Sequence, residues 1–230
     1  MKLLKDFIEL FFPRTCCVCG EPLVGDEKEI CLKCLYDLPE ALNANGKENL
    51  VERRLRGRVP VEAGTALLIF KQKNSTQKIL HQIKYKGNEH LALLMGQKFG
   101  KKLASNPLFD EIDVLIPVPL HPRKKRLRGY NQSLLLCQGI AKTFPHPIYD
   151  DILIRTQFTE TQTKMNREER FDNMQGVFAL RNPERIANRH ILLVDDVLTT
   201  GATTEACWST LKNVEGLRIS IATLAISGDT

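Results

Sequence analysis

The residues with the most chemical content stand together in the run Ile191-Leu192-Leu193-Val194-Asp195-Asp196-Val197-Leu198-Thr199-Thr200-Gly201-Ala202-Thr203-Thr204. An apolar stretch ends in two acids, and a loop of hydroxyl side chains with one glycine then opens a helix. A continuous apolar run reads as a buried parallel strand, and ligands of open α/β sheets bind beyond the carboxyl ends of such strands. Asp195 and Asp196 fall at that edge. Beyond them Thr199, Thr200, Gly201, Ala202 and Thr203 offer backbone N–H groups and hydroxyls at a helix N-terminus, where anions are favoured. The implied chemistry is capture of a sugar phosphate, with the phosphate in the loop and the sugar hydroxyls on the acids. The plainer alternative is a strand-turn-helix junction whose Asp and Thr side chains only cap the helix.

Neither of the two commoner phosphate loops is present: there is no G-x-x-x-x-G-K-[ST], and no G-x-G-x-x-G follows a strand. The run instead resembles the signature of type I phosphoribosyltransferases that binds 5-phosphoribosyl-1-diphosphate (PRPP). Two further segments fit a ligand of that charge. After an expected strand at 114–118 comes Pro119-Leu120-His121-Pro122-Arg123-Lys124-Lys125-Arg126-Leu127-Arg128-Gly129-Tyr130-Asn131-Gln132, a block of cations closed by a glycine and a helix start. Arg123, Arg128, Gly129 and Tyr130 are candidates to face a diphosphate, because Arg can bind two oxygens at once; the alternative is a solvated basic turn. The polar stretch from Arg155 to Asn173 is long for a connection and reads as a lid that excludes water, with Gln162, Lys164, Arg167 and Arg170 reaching the diphosphate. A surface excursion is the alternative there.

Five of the seven cysteines lie between Cys16 and Cys34, and Cys16-x-x-Cys19 is followed after eleven residues by Cys31-x-x-Cys34. Two C-x-x-C knuckles supply four thiolates for a tetrahedral zinc ion. A disulfide framework would call for an export signal, and paired redox thiols for a thioredoxin-like strand and helix. With four sulfur ligands the ion has no open position, so its role is structural. Cys17 is surplus to the knuckle, and Cys137 and Cys207 sit in apolar helical patterns as expected buried thiols.

The elements that must position these residues follow from apolar periodicity. Strands are expected at 65–70, 114–118, around 148–154, at 177–180, 191–194 and 218–226, and helices at about 75–84, 89–104, 132–142 and 203–212. Alternation of strands and helices indicates an α/β fold with a doubly wound, mainly parallel sheet. Residues 1–59 are expected to form an amino-terminal helix (Leu3, Leu4, Ile8 and Phe11 or Phe12 on its buried face) and a small zinc-ribbon-like module. Residues 60–230 form the larger domain. The polar stretch at 43–57, followed by Arg58, reads as the link between them, and Arg53, Arg54, Arg56 and Arg58 make it basic. The net charge of +6 favours anionic partners only mildly. Lys5, Asp6 and Glu9 interrupt the first apolar stretch, which argues against a signal peptide, and no run has transmembrane length; a cytoplasmic protein is expected, with a peripheral position at the inner face of the membrane as the variant.

From these residues the chain is identified as similar to the ComF/GntX family of competence-associated proteins, an amino-terminal zinc-ribbon-like module fused to a type I phosphoribosyltransferase domain. The carriers are the four cysteines, the tract from Ile116-Pro117-Val118-Pro119 through Arg128-Gly129-Tyr130-Asn131-Gln132, the Arg155/Gln162/Arg167/Asn173 segment and the acid-pair loop. The resemblance implies PRPP and Mg²⁺ at Asp195, Asp196 and Thr199 to Thr203, and a role in handling single-stranded DNA during natural transformation beside a DNA-translocating helicase. Glutamine phosphoribosyl-diphosphate amidotransferase shares the three tracts but carries a glutaminase domain with no counterpart here. Any hood over the site is expected from residues before about 110. Three functions stay open: a phosphoribosyltransferase with an unidentified acceptor, a PRPP-responsive protein whose zinc module and Arg53, Arg54, Arg56 and Arg58 contact DNA or a partner, and a metal-organised interaction protein with a vestigial pocket.

Overall fold

A computed structural model describes residues 13–41, 49–157 and 176–228. The expected amino-terminal helix and the lid residues Gln162, Lys164, Arg167 and Arg170 lie outside the described residues. In chain order the elements are α1 (Leu32–Tyr36), α2 (Leu50–Leu55), β1 (Gly64–Phe70), α3 (Ser75–Tyr85), α4 (Glu89–Ala104), β2 (Val114–Pro117), α5 (Pro122–Arg128), α6 (Gln132–Ile140), β3 (Leu153–Arg155), β4 (Phe178–Leu180), β5 (His190–Leu198), α7 (Ala202–Leu211) and β6 (Arg218–Ser227).

Four strands form one parallel sheet in the order β1-β6-β5-β2. Alternate residues of its strands feed opposite faces, as the period of two requires. Leu115, Leu192 and Val194 join one core with α3, α4 and α6, while Val114, Ile116, Ile191 and Leu193 join a second core with α2 and α7. The fold is therefore α/β with a parallel sheet covered on both faces, as the alternation of elements implied.

The expected strand around 148–154 is divided. Ile148 makes a single parallel bridge to Leu115, and the chain pairs again only at Leu153–Arg155, antiparallel to β4 in a separate two-stranded ribbon. Asp150 and Asp151 stand between the two pairings. The link at 43–57 contains α2, started by a capping box in which the Asn49 side chain accepts from the Val51 and Glu52 N–H groups while Glu52 reaches back to the Asn49 N–H. Val51 and Leu55 of α2 are buried in the second core, and Cys16, Ile30 and Leu38 are buried in the first. Residues on both sides of the expected 59/60 division thus share both cores.

Helices α4 and α6 meet backbone to backbone. A Cβ on Gly96 would stand 2.8 Å from the Gly139 Cα and 2.5 Å from the Leu136 carbonyl oxygen, so only residues without a side chain allow this approach. The contact sets the height of α6 over the sheet, and α6 carries Ser133 to the acid pair.

Candidate functional site

Strand β5 is longer than its apolar run. It pairs with β2 only as far as Val194 but with β6 through Leu198, placing Asp195 opposite Thr223. The two acids therefore project past the end of β2 while their backbone stays locked in the sheet. The Asp195 carboxylate accepts the Ser133 hydroxyl at 3.2 Å and the Asp196 N–H at 2.8 Å. Burial pushes its pKa up, the adjacent Asp196 charge pushes it further, and the Asp196 N–H, Lys84 and Ser133 offset part of this, leaving Asp195 at about 7. Asp196 is paired with Lys84 of α3, Nζ to Oδ1 3.1 Å. Asp195 is thus suited to share or accept a proton with a hydroxyl.

After Leu198 the chain forms the loop Thr199, Thr200 and Gly201, with Gly201 at φ +87° as the residue before α7. A side chain at that φ is strained, and the loop turns there into the first residues of the helix, Ala202 and Thr203. The Thr200 hydroxyl accepts the Ala202 N–H at 3.4 Å. The arrangement is a helix N-terminus facing the acid pair across a short loop, as the sequence implied. What the sequence did not indicate is the support behind it. Arg54 donates to the Thr199 carbonyl, and Arg58 donates to the Thr200 carbonyl at 2.8 Å and pairs with Glu205 at 3.3 Å. Two of the four arginines expected on a basic link are turned inward onto this loop; Arg53 and Arg56 are exposed.

The cationic block after β2 takes a form that was not expected. Residues Pro122–Arg128 are a helix, capped by the His121 ring at the Arg123 N–H (3.2 Å) and closed by Gly129 at φ +87°. Four cations at 123–126 and Arg128 fit a solvated helix with no buried residue; Arg123 is exposed, and the Arg128 guanidinium lies 5.4 Å from the centre of the Tyr85 ring. Gly129 serves the left-handed helix end, and a Cβ there would meet no atom within 4 Å. Tyr130, expected to face the diphosphate, is a core residue: it is 8% exposed, and its hydroxyl donates to the Ile83 carbonyl. That bond fastens the end of the basic block to the turn of α3 that carries Lys84. Asn131 completes the junction by donating to the Val118 carbonyl at 3.1 Å and accepting the Ser133 N–H.

Arg155, at the start of the lid segment, lies on β3 with its guanidinium 5.5 Å from the centre of the Phe178 ring. Burial lowers its pKa, and the Asp195 charge raises it in part. The residues that the sequence did not assign to this site are therefore Lys84, Ser133, Arg54 and Arg58. Of these, only the pair Asn49-x-x-Glu52, a capping box just before Arg53, gave a sequence signal that this stretch was helical and docked.

The cysteines form a second, separate site. The Sγ atoms of Cys16, Cys19, Cys31 and Cys34 all lie within 4.8 Å of one another, and Cys19 and Cys31 are 3.8 Å apart. A tetrahedron with 2.3 Å metal–sulfur bonds has edges of about 3.8 Å, so the four thiols fit a metal ion such as zinc. Burial raises the Cys16 thiol, but N–H groups of Cys19, Cys31 and Val18 outweigh it and bring the pKa to about 6. Cys17 stands outside the cluster, pushed up to about 12 by burial and by the charges around it. Cys137 and Cys207 are fully buried thiols, as expected.

A parallel sheet whose carboxyl edge carries an acid pair, a hydroxyl loop and a helix start is the architecture of a type I phosphoribosyltransferase domain. The phosphoribosyl transferase domain family matches residues 131–229, which takes in both the Ser133 end of α6 and the acid-pair loop. DNA utilization protein YhgH of Escherichia coli O157:H7 is 33% identical over 131 residues, covering 54% of this chain and 56% of that protein. Competence protein F of Haemophilus influenzae is 36% identical over 92 residues, 40% of each chain. Competence protein ComFC of Bacillus subtilis is 26% identical over 191 residues, 83% of this chain and 74% of that one. The match spans about half the length of the first of these relatives. Among solved structures, adenine phosphoribosyltransferase from Leishmania tarentolae superposes with a TM-score of 0.40 at 12% identity, covering 69% of this chain and 90% of that one. The chain thus carries a phosphoribosyltransferase-like domain and is similar to competence and DNA utilization proteins over the stretches given.

Proposed function

We propose that the chain binds PRPP with Mg²⁺ at the carboxyl edge of β5 and acts in the handling of DNA that its relatives' names describe. The observation that carries this reading is the placement of Asp195 and Asp196, fixed in the sheet yet projecting past β2, directly before the Thr199–Gly201 loop and the start of α7. The two acids take the ribose hydroxyls, and the loop takes the 5-phosphate through its N–H and hydroxyl groups. Mg²⁺ would be held mainly by diphosphate and ribose oxygens with water, since it rarely sits in an all-protein cage. The ion would neutralise the leaving diphosphate. Lys84, beside Asp196, supplies a fixed positive charge on the same edge. In a transfer reaction an acceptor atom forms the bond to ribose C1 as the bond from C1 to the diphosphate oxygen breaks.

The cysteine cluster would hold zinc in a structural role, a reading supported by its packing against the core with α3 and α4. Lys78 of α3 donates to the Val18 carbonyl at 2.6 Å, and Asn88 donates to Glu29 at 2.7 Å, so the knuckles and the helix that presents Lys84 are tied together. Among the described residues no helix is long and apolar enough to cross a membrane.

Calorimetric titration with PRPP and Mg²⁺ tests the binding reading, with diphosphate release followed in the same samples when bases, amines or single-stranded DNA are added. Binding with acceptor-dependent release marks a transferase, and binding without release marks a PRPP-responsive protein. Asp195→Asn combined with Asp196→Asn is expected to abolish binding while leaving the fold intact; unchanged affinity refutes the site. Titration of single-stranded DNA at two salt concentrations tests the DNA reading, for which salt-sensitive, sequence-independent affinity is expected.

A further inference from the structure

We infer that Arg54 and Arg58 are positioning residues of the Thr199–Gly201 loop: they pull its carbonyls backward so that its N–H groups face an incoming phosphate. The inference rests on the PRPP reading only for the identity of that phosphate. In a trans peptide the C=O and the following N–H point to opposite sides. Arg54 takes the Thr199 carbonyl and Arg58 the Thr200 carbonyl, both from α2 and the turn after it. The N–H groups of Thr200 and Gly201 are therefore directed away from α2, and among the described residues neither finds an acceptor.

Each guanidinium is itself held from several sides. Arg54 also donates to the Ser227 hydroxyl at 2.8 Å and the Ser227 carbonyl at 3.0 Å, at the end of β6. Arg58 also donates to the Arg54 carbonyl and pairs with Glu205 in the first turn of α7. The fit against the loop is close: a Cβ at Gly201 would lie 2.9 Å from Arg58 Nη2 and 3.0 Å from Leu55 Cδ2. Two long side chains lose much rotamer freedom when fixed this way, and charge-assisted bonds to several acceptors offset that loss. Lysine, with a single ammonium, cannot hold the loop and a second element (the end of β6 for Arg54, α7 for Arg58) in the same way. The loop of the larger domain is thus shaped by the segment before residue 60, and these two half-buried arginines are engaged with the loop rather than presented to nucleic acid.

The test uses the full zinc-loaded chain, ¹⁵N-labelled, as wild type, Arg58→Met, Arg58→Lys, Arg54→Met, and the Asp195→Asn/Asp196→Asn double variant. Amide signals of Thr200 and Gly201 are recorded without ligand, and PRPP–Mg²⁺ affinity is measured by calorimetry. Arg58→Met is expected to move both amide signals in the ligand-free protein and to weaken binding by roughly ten- to a hundredfold, the range for losing a hydrogen bond to a charged group. Arg58→Lys should recover part of the affinity, which a general loss of packing would not allow. Arg58→Met and Arg54→Met with unmoved amide signals and unchanged affinity overturn the inference. If the amide signals move but wild type binds no PRPP, the loop positioning stands and the ligand assignment falls. If the double Asn variant loses PRPP while both Met variants bind normally, the ligand assignment stands and the positioning role falls.

Discussion

Asp195→Asn should make the protein more stable, and by an amount that grows with pH. Asp195 is held at about 7 in the folded chain, against 3.8 for an ordinary Asp. Its folded pKa is raised, so between roughly pH 4 and 7 the folded state keeps a proton that the unfolded state has released. Stability then falls as pH rises through that window, at about 1.36 kcal/mol per pH unit for one group, and is level above it. From pH 5 to pH 8 the wild type should lose on the order of 3 kcal/mol that Asn, which does not titrate, keeps. The assay is urea unfolding of both proteins, metal-loaded, at pH 5, 6, 7 and 8. All other titrating groups are common to the two chains, so the difference isolates Asp195 to the extent that Asp196 and Lys84 respond alike. The Asn variant should lead by a margin that widens to pH 7 and then stops. A margin constant within about 0.5 kcal/mol, the size of an ordinary surface substitution, or one that narrows with pH, would show that burial and the Asp196 charge do not act on Asp195 as argued. The physical point is that an acid pair partly removed from water, with one lysine for two carboxylates, costs the fold stability that a bound sugar phosphate and its cation can return.

Lys84→Met removes the cation 3.1 Å from Asp196; the Asp195 titration, followed by carbon-13 NMR of labelled carboxyls, should move further up from about 7, because Lys84 is among the groups that lower it. An unmoved titration would mean that Lys84 is screened from the pair. For the cysteine site, one zinc per chain is expected from four thiolate ligands, and Cys31→Ser should lose that metal and several kcal/mol of stability, on the order of what a structural site supplies to folding. Metal analysis that finds a full complement of zinc in Cys31→Ser would count against the ligand set, whereas Cys17→Ser should keep its zinc.

Much of this protein is written locally in its chain. The acid-pair run specifies its own strand, loop and helix: β-branched and leucine residues fill both faces of a buried strand, Gly201 permits the left-handed turn, and hydroxyls line it. The two C-x-x-C spacings call for four thiols brought together without reference to the rest of the fold, and the four Sγ atoms lie within 4.8 Å of one another. Helix α4 begins at Glu89 and ends at Ala104, as its periodicity and the Asn88 cap dictate. What the sequence could not decide is which charged and polar side chains at a distance turn toward that loop. Arg54 and Arg58 have the same local character as Arg53 and Arg56, a basic stretch after a polar link. Only the docking of Val51 and Leu55 into the second core settles which two point inward. Tyr130 likewise looks like a ligand-facing residue beside Gly129, yet its ring finds a place in the first core and its hydroxyl finds the Ile83 carbonyl. Short-range pattern fixes backbone conformation and metal spacing because those depend on neighbours within a few residues. The direction of a long side chain depends on partners as many as 173 positions away, as for Arg54 and Ser227, and so only the tertiary structure decides it.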